Sequence, residues 1–373
     1  MPKNEGVQMS TYSPKVGILH AIPFWISLSL VPVILFSAVN GGWALVLPPL
    51  YAWGVFSIVD EVLSVNRRNA DPDTPKAALI WHRLVTLVWF PIQFCLVFGL
   101  IYFVSATDHL SGLEKVALFF GVGVASGTIG INFSHELMHR TSRFERWLAD
   151  LLLAMVMYSH FRTEHLLVHH THVGTPKDAV TARYGEGFWR FFVRVLWQCL
   201  RSAWRTEAAR LERKGLSRFD SSNPFWRYWT LQGMYLFLAL LAGGWVGLGL
   251  FLYQAMIAVW QLELVNYVEH YGLTRKKLAN GRYEPVAPRH SWNSPHRASN
   301  WLLINLQRHS DHHVVPGRPY PLLQDYSDKD APQLPHGYPF MTLLAMWPRA
   351  WRYRMNHRVR KWRAMYYPEI NSW

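Results

Sequence analysis

The run 116–133, VALFFGVGVASGTIGINF, passes without a break into Ser134-His135-Glu136-Leu137-Met138-His139. A helix that crosses a bilayer needs about 20 mainly apolar residues, so this stretch predicts a membrane helix with two imidazoles at its end. Helical positions i and i+4 share a face, which lets His135 and His139 reach one site. Taken alone, the pattern is the H-E-x-x-H signature of a zinc protease, with Glu136 as general base. The rest of the chain bears on whether that reading holds.

Five further apolar runs, 18–39, 43–65, 79–105, 228–242 and 246–268, bring the expected spans to six. Asn40-Gly41-Gly42 and Gly243-Gly244 read as tight turns, so the first and last pairs are helical hairpins. The fold expected is an all-α, multi-pass membrane bundle, a single domain over residues 1–373 with histidine-rich regions at 134–227 and 269–330. Segment 147–161 is apolar but short, and is read as a buried or re-entrant helix. Arg67, Arg68 and Lys76 follow span two and Arg140, Arg143 and Arg146 follow span four, which makes these loops cytoplasmic by the positive-inside rule. Both termini then fall on that side, in keeping with Lys3, Lys15 and the basic tail from Arg349 to Arg363.

Composition agrees with a membrane. Half the residues are hydrophobic, 15% are aromatic and only 17% are charged, against about 25% charged in an average soluble domain. The mean hydropathy of +0.01 averages strongly apolar runs with very polar loops. A net charge of +14 admits nucleic acid, anionic lipid or cytoplasmic loops as its explanation; only the last fits the apolar runs, so no nucleic-acid partner is expected. Trp25, Trp43, Trp81, Trp301 and Trp347 lie near ends of apolar runs, where an amphipathic ring suits the interface. Cys95 and Cys199 form no C-x-x-C pair, which excludes a built-in rubredoxin or zinc knuckle and makes any electron carrier a separate protein. Residues 1–15 lack the features of a signal peptide, so the first apolar run is expected to stay as an anchor.

The H-E-x-x-H pair has company. Glu164-His165-Leu166-Leu167-Val168-His169-His170 repeats the i, i+4 spacing with one extra histidine. Adjacent helical residues point about 100° apart, so one of the neighbours serves the shared site and the other a second metal or the far side of the first. Asn266-Tyr267-Val268-Glu269-His270 follows span six, and Gln307-Arg308-His309-Ser310-Asp311-His312-His313 comes later. All four clusters fall on the expected cytoplasmic side. A three-histidine zinc site leaves most of these nine imidazoles unexplained, whereas about two metals with open positions use them all. Imidazole suits iron, copper, nickel or zinc, so the ligands alone do not choose the metal. Glu136, Glu164, Glu269 and Asp311 adjoin the clusters and are expected to hydrogen-bond the outer ring nitrogens. Isolated histidines such as His20, His82, His109, His336 and His357 read as packing or loop residues. His160, His172, His290 and His296 lie near the clusters but outside their spacing and are candidates for supporting contacts.

These elements, in this order, resemble the membrane alkane monooxygenases, the alkane 1-hydroxylases of hydrocarbon-degrading bacteria. The likeness runs from about Asn132 to Leu323. It rests on Asn132-Phe133-Ser134-His135-Glu136-Leu137, Thr175-Pro176-Lys177-Asp178, Asn266-Tyr267-Val268-Glu269-His270-Tyr271-Gly272-Leu273, His290-Ser291-Trp292-Asn293-Ser294 and Leu306-Gln307-Arg308-His309-Ser310-Asp311-His312-His313. The resemblance implies a non-haem di-iron enzyme of the bacterial cytoplasmic membrane. Such an enzyme takes electrons from a rubredoxin served by an NAD(P)H reductase, and uses O₂ to hydroxylate the terminal methyl of an alkane. It also implies that the two irons are held by His135, His139, His165, His169, His170, His270, His309, His312 and His313, with Asp178 among the outer carboxylates. Leu166-Leu167-Val168 in place of a more polar stretch, the added His172, and Pro295-His296 depart from the pattern and bear on substrate identity.

An unactivated C–H bond gives ordinary side chains nothing to work on, so oxidation there needs a metal. Spans two to four are expected to line a narrow apolar channel from the bilayer, with Trp53, Phe56 and Phe120 as wall residues; the alternative is that these rings only pack helices or face lipid. A fatty-acyl desaturase or lipid hydroxylase shares the histidine-box logic. From another class, a metal transporter also sets histidines beside membrane helices, but along a pathway through the bilayer rather than at one face.

Overall fold

A computed structural model describes residues 16–370; the assignment of residues 1–15 to the cytoplasmic side concerns a segment outside the described residues. The described chain is helical apart from loops and three isolated β-bridges. Among the described residues, five helical segments are long and apolar enough to cross a membrane: Ile18–Asn40, Gly42–Leu63, Lys76–Ala106, Gly112–Met138 and Pro224–His270. The last has 47 residues, about 70 Å if straight, more than twice the roughly 30 Å hydrocarbon core. It is not straight. Gly243 (φ −151°, ψ 19°) and Gly244 (φ 58°, ψ −152°) leave helical geometry, and a side chain at Gly247 would fall 2.9 Å from the carbonyl oxygen of Ala239. Residues eight apart in a continuous helix never come so close, so the segment doubles back and the protein makes six crossings, as the two glycines foretell.

The fourth crossing lies at the centre. Gly123 and Gly127, one turn apart, bring its backbone against the sixth: a Cβ at Gly123 would sit 2.8 Å from the Gln254 oxygen, and one at Gly127 2.7 Å from the Ala258 oxygen. Small residues at this spacing let membrane helices approach closely where no hydrophobic force drives them together. Leu35, Phe36, Val55, Ile58, Val62, Phe237, Leu241, Leu252 and Met256 stay exposed on the outer crossings, an apolar belt suited to lipid.

Arg143–Met155 is a 13-residue helix capped by the Ser142 hydroxyl, too short to cross, and it packs beneath the bundle. A second core, with Phe188, Phe191, Tyr267, Tyr271, Trp292 and Trp351 fully or nearly fully buried, joins the helices Phe188–Glu212 and Pro348–Tyr366 to the end of the sixth crossing. Between the two cores lie the histidines.

Candidate metal centre

His135 sits in Asn132–Met138, the last turns of the fourth crossing, just after a π-helical turn at Ser126–Ile131. A second π turn, Glu164–His169, carries His165 and His169. His309, His312 and His313 share the six-residue helix His309–Val314, and His270 ends the sixth crossing. All nine come together in two groups. One contains His135, His139, His165, His170 and His312, the other His169, His270, His309 and His313, and within each the ligand atoms lie within 4.8 Å of one another.

In the larger group, Nε2 of His135 is 2.9 Å from Nε2 of both His165 and His312, and Nε2 of His165 is 2.9 Å from that of His170 and 3.2 Å from that of His139. In the smaller, Nε2 of His309 lies 3.1 Å from His270 and 3.0 Å from His313, while the His169 ring meets His270 edge-on at 4.7 Å. The rings of His170 and His313, 4.8 Å apart, join the groups.

A neutral imidazole has one N–H donor and one acceptor nitrogen. Five rings that turn the same nitrogen to a common point cannot satisfy one another, because each shared proton serves only one pair; a cation accepts every lone pair. The rings are also in the right charge state. Burial, reinforced by neighbouring imidazoles, holds His139, His165, His170, His309, His312 and His313 well below the usual imidazole range, so they stand neutral and able to ligate. The donor set therefore fits two metal ions.

The carboxylates divide. Asp178 accepts from His169, Nδ1 to Oδ2 3.0 Å, and is itself held by the Thr181 hydroxyl at 2.7 Å and the Val180 amide at 3.0 Å. Glu269 Oε1 lies 3.3 Å from His309 Nδ1. Glu136 and Asp311, expected at ring nitrogens, are engaged elsewhere. Glu136 faces Arg140 at 3.5 Å and the Tyr320 amide at 3.3 Å. Asp311 is bound by Arg318, by the Tyr326 hydroxyl at 2.8 Å and by the Gln324 amide at 3.0 Å. Each is paired with an arginine, and a charged guanidinium holds a buried carboxylate more strongly than a neutral imidazole does. Glu164 is sealed in the interior without a hydrogen bond to an imidazole; burial, then the charges of Asp178 and Glu263, push its carboxyl well up.

Histidines outside the four clusters stay outside the two groups. His290 contacts Glu284 and Tyr367, His296 contacts Ser294, and His160 stacks edge-on with Tyr158. His20 and His82 hydrogen-bond each other at 2.9 Å. Sequence reasoning gave no role to Asn293, which the structure places at the site: its Oδ1 accepts from the Ser310 amide at 2.9 Å and its Nδ2 donates to the Ser310 hydroxyl at 2.6 Å. The short helix with three of the nine histidines has no N-cap of its own, so Asn293 caps it from another loop. Only its place in the Trp-Asn-Ser string hinted at this.

A narrow, mainly apolar cavity of about 60 Å³ reaches from Ala52 and Trp53 past Gly127, Ile131 and Leu303 to His135, His165 and His309, touching both groups. Trp53 lies in its wall. Phe120 stands behind, its ring 6.3 Å from that of Trp53, and Phe56 packs edge-on against Tyr51 in the second core.

The sequence profile of the fatty acid desaturase family matches residues 112–345. The chain is 37% identical over 327 residues to alkane 1-monooxygenase 2 of Pseudomonas aeruginosa, covering 85% of this chain and 86% of that protein. It is 40% identical over 321 residues to alkane 1-monooxygenase 1 of the same organism, covering 84% and 82%. Against alkane 1-monooxygenase 2 of Alcanivorax borkumensis the figures are 34% over 350 residues, 91% and 90%. Matches of this depth over nearly the whole length, on a bundle that gathers nine histidines at one end, place the chain in the alkane 1-monooxygenase family, within the wider fatty acid desaturase family.

Proposed function

We propose that the protein hydroxylates the terminal methyl of linear alkanes to primary alcohols. It does so with O₂, two irons held by the nine histidines, and electrons from a rubredoxin-type carrier with its NAD(P)H reductase. The observation that carries the substrate side is the narrow apolar cavity, which leads from Trp53 in the bundle to His135, His165 and His309. The reaction is R–H + O₂ + 2 e⁻ + 2 H⁺ → R–OH + H₂O.

Iron, when bound, supplies the oxygen activation that an unactivated C–H bond requires. The chain's own part is to position. Trp53, Leu302, Leu303 and Leu306 give the cavity a largely apolar wall, and a flexible chain lying along it offers its methyl to the histidine face. Asp178 fixes the His169 ring through Nδ1 and leaves Nε2 free for metal. The loops with Arg67, Arg68 and Arg140 and the helix Pro348–Tyr366, which has no acidic residue, support a cytoplasmic location for this end, in the bacterial cytoplasmic membrane. Their charge also suits an acidic carrier.

The test is product analysis with purified protein, a rubredoxin system and ¹⁸O₂ over a panel of linear alkanes, terpenes, alkyl-aromatics and acyl lipids. Primary alcohols carrying one ¹⁸O atom support the reading. New double bonds in acyl chains, without labelled alcohol, would replace it by a desaturase.

A further inference from the structure

The apolar cavity is not the only space that reaches the larger histidine group. A second cavity, about 290 Å³, is lined by Lys76, His82, Arg83, Thr86, Glu136, Arg140, Glu145 and Tyr320, and of the nine histidines His139 alone lines it among the described residues. Its mouth holds Lys76, Arg83, Thr141 and Gly317, all exposed, while Glu145, Thr86 and Tyr320 are buried in its depth. Two ion pairs stand in its wall, Arg83 with Glu145 at 2.7 Å and Arg140 with Glu136 at 3.5 Å.

The two cavities differ in chemistry as well as in direction. The first presents His135, His165 and His309 to a mainly apolar slot; the second presents His139 to a slot whose wall sets Arg83, Arg140, Glu136 and Glu145 among the apolar Leu79, Leu137, Pro319 and Pro321. One buried water needs only about 10–15 Å³ and two to four polar partners, so the second cavity has room for several. The reaction requires both: each turnover consumes two protons and releases one water, and a slot filled by hydrocarbon transmits neither. We propose that the cavity between Lys76 and His139 is the enzyme's aqueous port, a water-filled passage that brings solvent protons to the metal centre and carries off the water formed. The apolar cavity is thereby reserved for hydrocarbon. This rests on the hydroxylase reading. In the balance, one O–O bond and one C–H bond break, and one C–O and three O–H bonds form. The two electrons come from the one-electron carrier and the two protons from water in this port.

Gly317 permits a reversible test. It lines the mouth and a Cβ there meets nothing within 4 Å. The exposed Cys95 is first removed (Cys95→Ser), and Gly317→Cys is then capped in the folded, iron-loaded protein with thiosulfonates of small or large size. The large cap should lower turnover at saturating alkane and carrier about tenfold and raise the solvent deuterium isotope effect. Alkane KM and iron content should stay unchanged, and thiol reduction should restore activity. A readout without turnover uses metal-free protein. Diethyl pyrocarbonate should modify His139 ahead of His135 and His165 by peptide mass analysis, and the large cap should slow His139 selectively. Unchanged turnover, isotope effect and His139 labelling under the large cap would overturn the port. Uncapped protein that forms no alcohol would instead remove the hydroxylase reading, and the port with it.

Discussion

His165 and His170 meet Nε2 to Nε2 at 2.9 Å across five residues of chain, while His169, four residues from His165, belongs to the other group. The cause is the π turn Glu164–His169, whose i→i+5 hydrogen bonds bring residues five apart onto one face. In an α-helix His165 and His169 would share a metal. The wider turn sends His170 to the larger group and His169 to the smaller, so one short segment supplies both.

Asp178 is the outer group on which the smaller cluster most visibly depends. Asp178→Asn keeps the shape but weakens the acceptor for His169 Nδ1. Loss of such a partner typically costs about 10–100-fold in metal affinity. Iron titration should show one site weakened to that extent and the other retained; two unaltered sites would contradict the role.

Trp53 lines the apolar cavity, packed against Phe120 at 6.3 Å and Trp260 at 5.9 Å. Trp53→Ala should lengthen the cavity and move the preferred alkane to longer chains by a few carbons, read by competition among a homologous series. An unchanged preference with lowered thermal stability would leave Trp53 as helix packing alone.

Gly127 tests the close approach of the fourth and sixth crossings. In Gly127→Ala the new Cβ would stand 2.6 Å from that of Gln261 and 2.7 Å from the Ala258 oxygen, so the helices must separate, at about 1–3 kcal/mol. Gly233→Ala, where nothing lies within 4 Å, is the control. The temperature of thermal inactivation in lipid nanodiscs should fall for the first and hold for the second.

The metal-free protein should be sensitive to acid. Burial lowers the titration of His139, His165, His170, His309, His312 and His313 in the fold, whereas unfolded imidazole titrates near about 6.5. Below that pH the unfolded chain binds protons that the fold refuses, so stability is full above about pH 6.5 and falls as pH drops through it. Denaturation between pH 7.5 and 5.5 should show a slope of more than one proton, about 1.4 kcal/mol per pH unit. A flat profile would mean that the rings are not buried as neutral groups.

Much of this was legible in the sequence because its signals are local. Apolar runs of bilayer length mark the crossings, Gly243-Gly244 marks the hairpin inside a 47-residue helical segment, and the four histidine clusters mark the site. The sorting of His169 from His170 was not legible, because the π turn Glu164–His169 has no residue signature of its own. Nor was the diversion of Asp311, which depends on Arg318 folding back and on Tyr326 and Gln324 arriving from the next loop. Asn293 reaches Ser310 across 17 residues, a contact that spacing cannot announce. Phe56 illustrates the same limit: an aromatic on the second crossing turns to the channel or to the core according to helix rotation, and it turns to Tyr51.

The most direct test of the central claim is the metal content of protein purified from iron-replete cells, iron and zinc measured together on the same sample. The two histidine groups predict about two irons per chain, lost together with alkane hydroxylation on chelation and regained with it when iron is restored. Stoichiometric zinc, with activity indifferent to iron, would contradict a di-iron hydroxylase.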